Sequence, residues 1–253
     1  PAPAAGELAF AALTICPESV LMTADAASLP TAYHVTPEQR RGACIHEAGH
    51  AIVAALGGFP CEEITVAPDG DPGSEWLVTN GEGVITACLG GFCSFRAPYP
   101  PLGFLEWSEE NRRYDTEAAR AVQRRYLSFL TRSTRAWYRR GLRTLACETL
   151  AGPLADARYR GEAPLVENPG DVPEDFHQAE AYCDLLPFRK EREFEHARQL
   201  AVAALEDYWP AVMTLAEALE QAGRLSEEAV LPYLPPPLKN WPPPPPTRSP
   251  SPS

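Results

Sequence analysis

The sequence predicts a mainly α domain of the α+β class, in which long helices accompany one small antiparallel sheet. Apolar residues recur with helical spacing over about 37–56 and through most of 108–231. An alternating β pattern is confined to about 62–88, and Gly- and Pro-rich stretches separate it from the helices. With 253 residues, of which 45% are hydrophobic, the chain can bury one sizeable core.

Local composition divides the chain into three parts. Residues 1–35 are rich in Ala and Pro and predict a loosely ordered N-terminal arm. Residues 36–233 form the predicted domain, in which we expect 90–107 to be irregular and the next helix to begin at Ser108. The proline runs of 234–253 predict a disordered tail.

Charge and cysteine usage exclude several classes of function. The net charge of −12 argues against nonspecific affinity for nucleic acid. The seven cysteines include no Cys-x-x-Cys, and Cys44 and Cys147 lie in apolar helical patterns, which is typical of reduced thiols in a cytoplasmic protein. No stretch reaches the roughly 18–20 consecutive apolar residues of a membrane span, so we expect none in this chain.

The first helix carries clear start and stop signals. Thr36 is the predicted N-cap, Pro37 occupies the first helical position, and Gln39 can complete a capping box. Gly57 and the glycine after it are typical of a helix end. Between these signals the helix is apolar on nearly every side, which predicts that it is buried.

This helix contains a His-Glu-x-x-His motif. His46 and His50 are four residues apart, so their rings share one helix face and can chelate one zinc ion. Glu47 can act as a general base toward a water molecule that the metal activates. The alternative is that the histidines are hydrogen-bonded core residues and that Glu47 pairs with an arginine. Three buried polar groups are costly unless they are satisfied, and a bound metal satisfies all three.

The strands have a functional and a structural interpretation. We expect strands at about 62–66, 76–79 and 83–88. The strand near Ile64–Ala67, or the one near Val84–Cys88, could align an extended peptide through main-chain hydrogen bonds. The alternative is a purely structural hairpin packed on the first helix.

A catalytic zinc site requires a third protein ligand. Leu56 stands where the pattern with a third histidine would place it, so a carboxylate from a later helix is needed. Spacing alone does not choose among the candidates, which are Glu148, Asp156, Asp171, Glu174, Asp175 and Glu180.

Arginines crowd the region from 112 to 143, together with several aromatic residues. This combination is found in RNA-binding proteins. In a chain this acidic, it favours instead a solvated face or a docking surface for an acidic partner.

Four stretches, in order, resemble the peptidase domain of the FtsH-type zinc proteases. They are His46–Ala51 with Ile64–Pro68, then Thr149–Asp156, then Gly170–Ala179, and finally Leu215–Glu228. The resemblance implies a zincin-like helical peptidase domain that binds Zn²⁺. It also implies that Asp175 is the third zinc ligand, because the family's ligand is the Asp of the third stretch.

The chain departs from this family in several places. It has no Gly-x-x-x-x-Gly-Lys-Ser/Thr motif, and residues 90–139 resemble the family least. Glu174 stands where the family has Asn, and Pro153 where it has Arg.

The predicted ligand set is nevertheless intact. We expect a zinc metalloendopeptidase that acts on polypeptides, with a separate ATPase or a homo-oligomer as its partner. The alternative is a catalytically silent, peptidase-like binding or regulatory protein with a structural zinc.

Overall fold

The computed structural model describes residues 36–66, 76–79, 85–88, 91–96, 105–108, 113–162 and 174–246. These residues form a mainly helical protein with a small three-stranded antiparallel sheet, which confirms the predicted class at this level. The predicted N-terminal arm, 1–35, lies outside the described residues.

Seven α-helices account for most of the described chain. They are α1 (Pro37–Leu56), α2 (Glu117–Phe129), α3 (Arg132–Arg160), α4 (Glu174–Asp184), α5 (Lys190–Asp207), α6 (Trp209–Ala222) and α7 (Glu227–Val230). A 3₁₀ turn at Leu231–Tyr233 follows α7. Pro210 lies in the first turn of α6, where proline is tolerated, and the break between α5 and α6 falls at Tyr208.

The first helix has the predicted bounds. The Thr36 side chain accepts a hydrogen bond from the Gln39 backbone N–H, and the Gln39 side chain accepts one from the Thr36 backbone N–H. This reciprocal pair is the predicted capping box. The helix ends at Gly57, and Gly58 takes a positive φ of 82° that L side chains rarely adopt. Local sequence therefore determines both ends of α1.

The described strands form three small sheets. In the three-stranded sheet, β1 (Cys61–Val66) lies between β4 (Gly91–Phe95) and β7 (Arg224–Ser226), and both pairings are antiparallel. The other two sheets are the predicted hairpin β2–β3 (Trp76–Thr79 with Ile85–Cys88) and a second hairpin β5–β6 (Glu106–Ser108 with Arg113–Asp115).

Two predictions about this region are wrong. We expected 90–107 to be irregular, but 91–95 forms β4 because it pairs with β1 across a gap of more than 20 residues. We also expected a helix to begin at Ser108, but Ser108 pairs with Arg113, and the helix begins only at Glu117. Neither segment has a clear alternating pattern in its own sequence. Each becomes a strand because a partner strand supplies its hydrogen bonds.

The core surrounds α1. This helix packs against α3, α6 and the sheet, and Ile45, Ile52 and Leu56 are fully buried. Gly49 allows the close approach of α3, since a Cβ atom here would lie 2.8 Å from the Ala151 carbonyl oxygen. The helix that carries the two histidines is thus held between the longest helix and the sheet.

The segment after the last helix has a defined course up to Pro246. The Leu238 backbone N–H donates to the Leu56 carbonyl oxygen at 2.9 Å, and Trp241 packs against the main core. The Pro243 carbonyl oxygen lies 3.0 Å from His196 Nε2. The expectation of a disordered tail therefore does not hold for 234–246, because contacts with α1 and α5 order the prolines. Residues 247–253 lie outside the described part.

In the described part of the chain, no helix is both long enough and apolar enough to cross a membrane. Among the cysteines whose side chains the structure describes, five are free thiols, and they are Cys44, Cys61, Cys93, Cys147 and Cys183.

A buried ion pair joins α3 to α5. Arg143 donates two hydrogen bonds of 2.9 Å to the two carboxylate oxygens of Glu193, and their side chains are only 8% and 0% exposed. This bidentate geometry satisfies both charges where water cannot. The pair therefore links α3, which packs against α1, to α5.

We expect the substitution Arg143→Met to lower the free energy of unfolding by about 3–5 kcal/mol, because it leaves the Glu193 carboxylate buried and unpaired. The double variant Arg143→Met/Glu193→Met should recover much of this loss, since both desolvated charges are then gone. Urea unfolding of the full chain measures both values. Equal losses in the single and double variants would contradict this account.

Candidate metal centre

The two histidines of α1 meet as their spacing predicts. His46 Nε2 and His50 Nε2 lie 3.0 Å apart, and the ring centroids are separated by 4.7 Å. His50 is buried, whereas the His46 side chain keeps 25% of its surface exposed. One nitrogen of each ring thus points to a common position that is partly open to solvent.

The first turn of α4 brings Asp175 to the same position. Asp175 Oδ2 lies 3.3 Å from His46 Nε2, and the ligand atoms of His46, His50 and Asp175 are all within 4.8 Å of one another. Ligands of a tetrahedral zinc ion at about 2.0–2.1 Å are separated by roughly 3.3 Å. The His46–His50 and His46–Asp175 separations, 3.0 and 3.3 Å, are close to this value, so the three side chains form a candidate site for a small divalent cation.

The other candidate carboxylates are engaged elsewhere or lie outside the described side chains. Asp156 accepts hydrogen bonds from Arg160, and Glu180 lies 3.6 Å from Lys190 Nζ. Asp171 and the side chain of Glu174 are not among the described parts. Among the described side chains, packing of α4 on α3 thus brings Asp175 to the two histidines, which spacing alone did not predict.

Glu148 contacts His50 at the ring nitrogen that faces away from the cluster. His50 Nδ1–H donates to the backbone carbonyl oxygen of Glu148 at 2.7 Å, and Glu148 Oε2 lies 3.5 Å from the same nitrogen. Because Nδ1 is engaged in this hydrogen bond, Nε2 is the His50 nitrogen that could coordinate a cation in the cluster. The sequence offered Glu148 as a candidate ligand, but its contact is with the His50 nitrogen on the far side of the ring.

Gly152 in α3 makes room for the cluster. A Cβ atom at this position would lie 2.2 Å from His50 Nε2 and 2.6 Å from His46 Nε2. Any other residue would therefore fill the space between the two ring nitrogens. The sequence signal was a glycine inside a long helix, which costs about 1 kcal/mol relative to alanine and needs a compensating reason.

The Glu47 side chain is buried against β4. A Cβ atom on Gly91 of this strand would lie 2.6 Å from the Glu47 Cγ and Oε1 atoms. Burial raises the pKa of Glu47, and the neighbouring histidines oppose this shift. The carboxylate is thus confined next to the predicted ligands by an outer strand of the sheet.

Burial and the neighbouring charges shift the pKa values of two groups in the cluster. Burial lowers the pKa of His50, but the hydrogen bond to Glu148 and the charges of Asp175, Glu47 and Glu148 outweigh it and raise this pKa to about 10. Burial raises the pKa of Asp175, and the adjacent imidazoles outweigh that effect, so the net shift is downward. Three carboxyl groups around two imidazoles favour a bound cation.

Of the two strands expected to align a peptide, one has no free edge for it. The strand near Ile64–Ala67 is the central strand β1, which is paired on both sides over Glu63–Thr65, so it has no free edge there. The strand near Val84–Cys88 pairs with β2 in a separate sheet. The strand that lies against Glu47 is β4, in a region that the sequence predicted to be irregular.

Comparisons of the sequence with protein-family models and with curated proteins found no match. Inference about function therefore depends on the residues of the cluster and on their geometry.

We expect the substitution Gly152→Ala to abolish metal binding without unfolding the chain. The added methyl group would displace both ring nitrogens, whereas alanine is the better helix former by about 1 kcal/mol. Gly42→Ala in α1 is the matched control, because its Cβ would meet only the Asp156 side chain, at 3.2 Å. Elemental analysis and circular dichroism measure the two properties, and normal metal content in Gly152→Ala would contradict the prediction.

Proposed function

We propose that this chain is a zinc-dependent metalloendopeptidase of the zincin type, similar to the FtsH-type peptidases. The observation that carries the proposal is the convergence of His46, His50 and Asp175 on one small space beneath Gly152, with the carboxylate of Glu47 beside them. Two ring nitrogens and a carboxylate oxygen are the donor set of many hydrolytic zinc sites.

The residues around this space have distinct roles in the proposal. His46, His50 and Asp175 would hold the metal, and Glu148 would orient His50. When bound, zinc would supply Lewis-acid activation of water and of the scissile carbonyl group.

Glu47 would perform the proton transfers. It would accept a proton as the oxygen of water attacks the peptide carbonyl carbon. It would then deliver that proton to the amide nitrogen as the C–N bond breaks, so that the products are a free carboxylate and a free amine.

The outer strand β4 is the best support for the substrate. Among the described strands it is at one edge of the β4-β1-β7 sheet, and its first residue, Gly91, contacts Glu47. An extended polypeptide could add to this edge by main-chain hydrogen bonds and pass the scissile bond over the cluster. This arrangement would favour cleavage within a chain.

A structural metal site is the competing interpretation, and the number of ligands distinguishes the two. A structural zinc site is closed by four protein ligands, whereas a catalytic site keeps one position open. Within the described residues, the cluster offers three ligand groups and no fourth. This favours the peptidase over a silent protein with a metal clasp.

The test is metal analysis combined with peptide cleavage on the full chain. We expect about one zinc ion per chain, cleavage of casein or a peptide library, loss of cleavage after chelation, and recovery when zinc is restored. Zinc binding without any cleavage would support the structural alternative. No metal binding at all would overturn the proposal.

The sequence also bears on the partners and location that we propose. Since the chain contains no phosphate-binding ATPase motif, a folded substrate would require a separate unfoldase or a homo-oligomer. We expect unstructured casein to be cleaved faster than a stably folded protein in the absence of ATP. A cytoplasmic location, where cysteines stay reduced, belongs to the same proposal.

A further inference from the structure

The turn between α2 and α3 carries an unusually exposed aromatic side chain. Phe129, the last residue of α2, is 77% exposed, the largest value among the exposed large hydrophobic residues of the described part. Val122 is 41% exposed and lies seven residues earlier, on the same stripe of α2. We call the segment 122–135 the hairpin apex. Two large apolar side chains on one solvent-facing stripe need an explanation.

The charge of this region is opposite to that of the whole chain. The protein has a net charge of −12, yet no Asp or Glu occurs between Ala118 and Cys147. Arg125 on α2 and Arg132 and Arg135 at the start of α3 are all exposed. A surface that serves only for solubility usually mixes both signs. The hairpin apex instead combines exposed apolar groups with charge of one sign.

The apex is a built feature of the fold. The Thr131 side chain caps α3 by accepting a hydrogen bond from the Thr134 backbone N–H, and Arg135 Nε donates to the Leu130 carbonyl oxygen. Beneath it, Leu127 and Leu130 pack on a small core that includes Tyr138 and Leu142. The turn therefore presents Phe129 outward while its neighbours are anchored inward.

We propose that the hairpin apex docks on the surface of an anionic phospholipid membrane. Phe129 and Val122 enter the layer between headgroups and acyl chains, and Arg125, Arg132 and Arg135 bind lipid phosphates. Guanidinium groups suit this role because they bind phosphate oxygens in a bidentate manner. The contact is peripheral, so the rest of the acidic protein stays in water. At that distance salt screens the repulsion between its carboxylates and the anionic lipids.

The shape and chemistry of the apex favour lipid over other anionic partners. Single-stranded nucleic acid stacks successive bases on several rings, whereas within 122–135 Tyr126 packs on the small core and Phe129 is the one exposed ring. An acidic protein would need a complementary groove for the protruding Phe129. A bilayer accepts a convex apolar protrusion within a cationic surround without any such preformed site.

The experiment is co-sedimentation of the full chain with vesicles. We expect binding to vesicles of phosphatidylcholine mixed with phosphatidylglycerol, none to phosphatidylcholine alone, and weakening as salt rises. Phe129→Ser should reduce the partition coefficient by about tenfold, because it removes the inserted ring. Arg125→Gln should reduce it by about fivefold, since each basic residue near the surface contributes about that factor.

Two control variants match these changes. Leu231 is 66% exposed but lies after α7, so Leu231→Ser should leave binding unchanged. Arg198 already pairs with Glu195, so Arg198→Gln should also leave it unchanged.

Several results would overturn the proposal. The first is absence of binding to anionic vesicles. The second is equal weakening of binding by the control variants. The third is Phe129-dependent binding to single-stranded RNA or polyglutamate without binding to vesicles. Phe129 and Arg125 are exposed, so their variants should fold normally, and circular dichroism verifies this. The outcome is independent of peptidase activity.

Discussion

The substitution Glu47→Gln should reduce peptide cleavage by about 10²–10⁴-fold while zinc remains bound. Glutamine has nearly the same shape as glutamate, so the buried position next to Gly91 can still be filled. It cannot accept a proton from the attacking water. Since Glu47 does not belong to the group of three ligand side chains, metal content should not change.

The measurement is kcat/KM on casein-derived or library peptides, together with metal content of the same preparation. Glu38→Gln is the control, because Glu38 is exposed in the first turn of the same helix. Cleavage by Glu47→Gln at the wild-type rate would remove Glu47 from the mechanism. Loss of zinc in that variant would show instead that Glu47 helps to hold the metal.

The substitution Asp175→Asn should weaken zinc binding by more than the 10–100-fold that is typical of changes outside the ligand shell. The amide removes a negative charge from the group that approaches His46 at 3.3 Å. Asp175 is partly exposed at the start of α4, so we expect little change in the fold. Cleavage should fall in parallel with metal content.

Competition with a chromophoric chelator measures this affinity. Asp156→Asn and Glu180→Gln are matched controls, since both residues were candidates from the sequence and both face other partners in the structure. Wild-type zinc affinity in Asp175→Asn would exclude Asp175 as a ligand.

Taken together, the two variants separate the parts of the proposal. Loss of cleavage with zinc retained in Glu47→Gln, and loss of both in Asp175→Asn, is the pattern of a catalytic metal site. A structural zinc would give no cleavage in the wild type and loss of stability in Asp175→Asn. The pattern of results thus distinguishes an enzyme from a metal-stabilised binding protein.

Sequence alone determined the features that depend on neighbouring residues. The capping box of Thr36 and Gln39 and the end of α1 at Gly57 follow from contacts within three or four positions. The common face of His46 and His50 follows from the period of the helix. Such local rules need no knowledge of the remaining chain, which is why they predict the structure correctly.

Tertiary structure decided everything that joins distant segments. Asp175 reaches His46 only because α4 packs on α3, and Gly152 matters only because α3 crosses the two imidazoles. Strand β4 exists because β1 pairs with it, and residues 234–246 are ordered because α1 and α5 offer them contacts. Hydrogen bonds and packing between residues far apart in sequence stabilise these features. Spacing could not distinguish Asp175 from five other carboxylates, and before the helices came together only the resemblance of 170–179 to a known segment pointed to it.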